Sequence, residues 1–138
     1  MIRNTIFLLI FTLTIVGCNR QPAATSSSLN RAQSERVASA ASILVPGTVY
    51  RIAPTGSMEP VLNGNSYVVA EKCSIRDISV GDIVAYTRPD GKHIVHRVIY
   101  VGTELRTRGD ANKADDPDAV TNSNLLGRVV VIVYGKKI

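Results

Sequence analysis

From Ile43 to the end of the chain no stretch keeps a helical period, and that restricts the fold more than any other feature. Short runs rich in Val, Ile, Tyr and Thr alternate with turn signals instead. Thr48 to Ala53 reads as a strand, Asn63-Gly64-Asn65 as a turn, and Ser66 to Ala70 as the next strand. Val80-Gly81-Asp82 turns into Ile83 to Tyr86. Arg88-Pro-Asp-Gly-Lys92 carries proline, aspartate and glycine in turn order, so His93 to Val101 should pair back on Ile83 to Thr87. Leu105 to Arg108 is a short strand. Leu126 to Tyr134 is a final one, whose five consecutive β-branched residues, Val129 to Val133, imply burial on both faces. The expected domain is an all-β, barrel-like sheet assembly spanning residues 43–138.

The preceding residues differ in kind. Residues 1–18 read as a signal segment: Arg3, then an apolar run from Thr5 to Val16 that is short for a bilayer-spanning helix. It ends Ile15-Val16-Gly17-Cys18, which resembles the box of bacterial lipoproteins, where the cysteine receives lipid after cleavage. An uncleaved anchor and a secretory signal cut elsewhere are the competing readings. Each puts the remainder on the extracytoplasmic side of a membrane in a bacterial envelope. Residues 19–42 are rich in Ser, Ala, Gln and Asn and read as a polar tether, with Leu29 to Ala41 able to form a weak helix.

With 138 residues there is room for one core, and Val, Ile, Leu and Ala must fill it because tryptophan is absent. The net charge of +5 falls to +4 if Arg3 is removed with the signal. Basic runs never exceed two residues and aromatic platforms are lacking, so nucleic acid is not an expected partner. Cys73 has no cysteine to pair with once Cys18 is lipidated, and reads as a small apolar filler.

Pro54-Thr55-Gly56-Ser57-Met58-Glu59-Pro60 leaves a strand and turns sharply, which would hold the Ser57 hydroxyl at a fixed place. A serine attacks poorly unless a base takes its proton. The strand residue His96 shares a face with the apolar Ile94 and Val98, and an imidazole there needs a polar partner. Imidazole ordinarily titrates near 6.5, which suits it to accept a proton. His93, beside the hairpin turn, reads as solvated. The segment from Arg108 to Asp118 holds four aspartates within nine positions, 110, 115, 116 and 118. It lacks the alternate ligands and closing glutamate of an EF-hand, so no metal is expected. One of these carboxylates, buried, would hold the second nitrogen of His96.

Five ordered motifs, Gly56 to Pro60, Gly81-Asp82-Ile83-Val84, Ile94 to Val98, Gly109-Asp110-Ala111-Asn112 with Asp115-Asp116, and Leu126 to Val129, resemble the type I signal peptidases. These are the S26 group of serine peptidases, and the likeness covers roughly residues 44–135. His96 stands where most bacterial members carry lysine, as in members from archaea and the endoplasmic reticulum. The resemblance implies the coiled, mostly antiparallel, barrel-like sheet of the S24/S26 fold and cleavage of signal peptides after small residues, close to a membrane and without a cofactor. It implies Ser57 as nucleophile, His96 as base, Asp116 as the acid partner and Asp110 in support. Thr55 and the Ser57 N–H would bind the oxyanion. Ala111 stands where related sequences carry asparagine, which would loosen the acidic loop. The expected substrates are signal-peptide-bearing or other exported proteins. The alternative is an inactive lipoprotein of the same fold that binds extended peptides. A repressor-type self-cleaving protease ranks last, because it would need a lysine at position 96.

Overall fold

The computed structural model describes residues 29–136. The signal segment 1–18, Cys18 and the first part of the tether lie outside the described residues. Among the described residues one helix, α1 (Arg31–Leu44), precedes six strands. These are β1 (Thr48–Arg51), β2 (Tyr67–Glu71), β3 (Ile83–Thr87), β4 (His93–Val101), β5 (Leu105–Arg108) and β6 (Leu125–Val133). A single 3₁₀ turn, Ile75–Asp77, lies between β2 and β3.

The strands form one antiparallel sheet in the order β1-β2-β6-β3-β4-β5. The all-β class holds, but the barrel does not close: β1 and β5, four residues each, are the outermost strands of the ladder. Three register shifts bend the sheet, and bulges of this kind raise local twist without completing a ring. One of them corrects the reading of β6. Val69 pairs with Val131 and Ala70 with Val129, so Val130 is the extra residue and stands 37 % exposed. The strand is interior to the sheet, yet its apolar run is not buried throughout.

Two apolar clusters share the sheet near the future site. Ile52, Met58, Leu62, Val68 and Ile83 form one. Val84, Tyr86, Val98, Leu105 and Val120 form the other. Ile83 and Val84 are neighbours on β3 and fall into different clusters, as strand alternation requires.

From Arg31 onward the expected tether is a packed helix. Asn30 caps it with a reciprocal box: its side chain accepts from the Gln33 N–H, and Gln33 accepts from the Asn30 N–H. Ser34 and Ala38, one turn apart, are fully buried, and Ala38 lies against Tyr67 and Val133. The buried stripe consists of small residues, so it carries no apolar period in the sequence. The Lys136 N–H donates to the Leu29 carbonyl at 2.8 Å and ties the two ends of the described chain together. Among the described residues no helix is long and apolar enough to cross a membrane.

Candidate active site

The turn carrying Ser57 is built from its two sides. β1 ends as the Ile52 N–H donates to the Ser66 carbonyl, and Ile52 drops into the core. Gly56 then takes φ +75°, a conformation glycine adopts without the strain a Cβ brings. The Glu59 N–H closes back on the Gly56 carbonyl, and the Leu62 N–H on that of Met58. Met58 and Leu62 are buried, which pins the turn from below and leaves Ser57 half-exposed above.

His96 arrives from β4, opposite Val84 of β3. Ile94 and Val98 flank it on the same face of the strand, and the residue is 8 % exposed. Both ring nitrogens are engaged. Nε2 lies 3.1 Å from the Ser57 Oγ, across 39 residues of sequence, and Nδ1 lies 2.7 Å from the Asp116 Oδ2. With the proton on Nδ1, the imidazole donates to Asp116 and accepts from the serine hydroxyl.

Asp116 follows β5, where its N–H donates to the Thr107 carbonyl. Two hydroxyls also reach the Oδ2 atom: Thr107 donates at 2.7 Å and Tyr86 at 3.1 Å. Burial pushes this carboxyl up, but the hydrogen bonds from His96, Thr107 and Tyr86 outweigh it and hold the group below the ordinary aspartate range. Tyr86 is pushed up to about 12, mainly by its burial, so its hydroxyl keeps its proton.

Asp110 is placed differently. It does not meet His96 but grips Arg97, Nε to Oδ1 at 2.7 Å and Nη2 to Oδ2 at 2.8 Å. Arg97 lies on the opposite face of β4 and also donates to the Gly81 carbonyl. Its guanidinium is held above its usual range, chiefly by the bond to Asp110. Asp115 pairs with Arg108 and Asp118 with Arg88. The acidic loop also braces the nucleophile's backbone. The Ala111 N–H donates to the Ser57 carbonyl at 2.9 Å, and a Cβ on Gly109 would stand 2.6 Å from that same oxygen. Ala111 acts through its backbone, so the missing asparagine side chain does not remove this contact.

Thr55 Oγ1 lies 3.2 Å from the Ser57 Oγ and accepts weakly from the Ser57 N–H at 3.4 Å. The two groups expected to bind an oxyanion are therefore bonded to one another and must turn outward to serve. A small cavity of about 110 Å³ adjoins Ser57 and His96, floored by Ile52, Met58, Ile94 and Val95 and rimmed by Arg51 and His93. His93 is exposed, its ring edge-on to Tyr50 at 5.7 Å. Cys73 packs against the apolar cluster that holds Val84 and Val98, with its thiol pushed up by burial. No group of His, Cys, Asp and Glu among the described residues is arranged to hold a metal ion.

The sequence reading missed Tyr86, Thr107 and the Ala111 N–H. The first had a signal. The Arg88–Lys92 hairpin sets Thr87 against His93 and thus Val84 against His96, which places Tyr86 on the histidine's face.

No curated protein matches the chain. The family described as signal peptidase, peptidase S26, matches residues 36–111, just over half of the sequence. The match takes in Thr55, Ser57, His96 and Asp110 and stops before Asp116. The chain therefore belongs to the S26 signal peptidase family of peptidases.

Proposed function

We propose that this S26 peptidase is a serine endopeptidase that cleaves signal peptides, or similar extended segments of exported proteins, with Ser57 as nucleophile and His96 as general base. The single observation that carries this reading is the imidazole bridging a serine hydroxyl at 3.1 Å and a partly buried carboxylate at 2.7 Å. His96 takes the Ser57 proton as Oγ attacks the scissile carbonyl, then gives it to the leaving amine. A water, deprotonated by the same nitrogen, hydrolyses the acyl-serine and regenerates the hydroxyl. Asp116 keeps Nδ1 protonated and offsets the charge of the imidazolium. The Thr55 hydroxyl and the Ser57 N–H donate to the tetrahedral oxyanion, each worth roughly 10²–10³ in rate.

The domain is tethered by lipid on Cys18 and works on the extracytoplasmic face of an envelope membrane. Mass spectrometry of the N-terminal peptide checks this: lipidated Cys18 is expected, and an intact Met1 terminus overturns it. The test of the activity is incubation of the purified full chain with a signal-peptide-bearing precursor. Wild type should cut after a small residue and Ser57→Ala should not, at an unchanged melting temperature. Equal cutting by both removes Ser57 from the chemistry. No cutting by the wild type favours the peptide-binding alternative.

A further inference from the structure

Tyr86 and Thr107 sit where neither the nucleophile nor the base needs a neighbour. Tyr86 is 1 % exposed on β3 and Thr107 is fully buried on β5, on either side of the strand that bears His96. Their hydroxyls converge on one atom. The Asp116 Oδ2 accepts from His96 Nδ1 at 2.7 Å, from Thr107 at 2.7 Å and from Tyr86 at 3.1 Å. The two hydroxyls lie 3.3 Å apart.

The remaining loop aspartates are treated otherwise. Asp110, Asp115 and Asp118 each have an arginine, from β4, β5 and the end of β3 respectively. Among the described residues no arginine pairs with Asp116, whose ion-pair partner is the histidine. An arginine there would compete with His96 for the carboxylate. Two neutral hydroxyls supply donors without supplying a positive charge, and so leave the full negative charge facing the imidazole.

We propose that Tyr86 and Thr107 are positioning residues: a hydroxyl clamp that fixes the Asp116 carboxylate, ionised and in one orientation, against His96. The clamp rests on the reading of Ser57, His96 and Asp116 as the reacting set. Both residues act through Asp116 and touch neither substrate nor nucleophile. The anchoring of Asp116 to β5 by its own backbone, N–H to the Thr107 carbonyl at 2.8 Å, places the loop. The hydroxyls set the rotation of the carboxylate within it. That Tyr86 is held as a neutral phenol well above neutrality keeps it a donor across the working range.

The experiment is a double-mutant cycle on peptide cleavage by the full chain, using Tyr86→Phe, Thr107→Val and Asp116→Asn. Each hydroxyl removed should lower kcat about tenfold to a hundredfold with little change in KM. Thr107→Ser, which keeps the donor, should retain most of the rate. In the Asp116→Asn background, Tyr86→Phe and Thr107→Val should add no further loss. Full additivity in that background overturns the clamp, as does wild-type kcat in both single variants. Melting temperatures separate misfolding from mispositioning, and Thr107→Ser guards against a valine that fails to pack. Ser57→Ala runs in the same assay. If it stays active, the serine reading itself falls; if it is dead while Tyr86→Phe and Thr107→Val cut normally, only the clamp falls.

Discussion

Asp116 concentrates the residue-scale consequences. Burial raises its pKa, and the hydrogen bonds it accepts lower it by more, so the folded value lies below the unfolded one. The stability this contributes is fully present above the ordinary aspartate pKa, near 4. It drains as pH falls through the folded value. Denaturant melts between about pH 2 and 5 should therefore show a shallower decline for Asp116→Asn than for wild type. Tyr86 gives the mirror image. Its folded pKa of about 12 lies above its ordinary 10, so the folded chain holds that proton longer and stability falls between those two values. Tyr86→Phe should flatten the alkaline side of the same curve. In catalysis, Asp116→Asn should lower kcat by about 10⁴, whereas Asp110→Asn, which releases Arg97 rather than His96, should cost less. The placing of Ser57 and His96 was legible in the sequence, because turn chemistry and strand parity fix where those two side chains point. The choice between Asp116 and Asp110 was not. Both lie in a loop with no period, and only the pairing of Asp110 with Arg97 separates them.

Elements meet at the loop following β5. It carries the acid, yet it also touches the turn of the nucleophile through Ala111 and Gly109. Gly109→Ala would push a methyl onto the Ser57 carbonyl, with no flexible side chain to yield. A destabilisation of roughly 1–3 kcal/mol is expected, with a loss of activity larger than that loss of stability explains. Chemical denaturation alongside peptide kinetics checks both halves. Five of the six strands come within one residue of the boundaries read from the sequence, since β-branched runs between turns mark them well. β1 is the exception. Its apolar run continues to Ala53, but the ladder ends at Arg51, where the chain lifts towards the Ser57 turn. Bulges escaped the reading because a register shift leaves no mark on composition. Val130 shows the result: a valine within an apolar run that faces solvent.

For the whole molecule, the main departure from the sequence reading is that the weak helix it allowed at Leu29 to Ala41 is packed onto the sheet rather than left in a tether. α1 covers Tyr67 and Val133 with a stripe of serine and alanine, so no apolar period advertised it. It behaves as part of the folded unit. Starting the chain at Val45 rather than Leu29 should lower the melting temperature sharply by uncovering that cluster. Asn30→Ala should cost about 1 kcal/mol through the lost capping box. Sheet and helix together bring two groups 39 residues apart to 3.1 Å, and the proposed chemistry requires them to act as one unit. The most direct measurement is kcat/KM for Ser57→Ala, His96→Ala and the double variant on one peptide, at matched melting temperatures. Each single change should lower the rate by about 10⁴-fold or more, with the double variant no slower than the worse single. Losses that multiply in the double variant, or either single cutting near the wild-type rate, would contradict it.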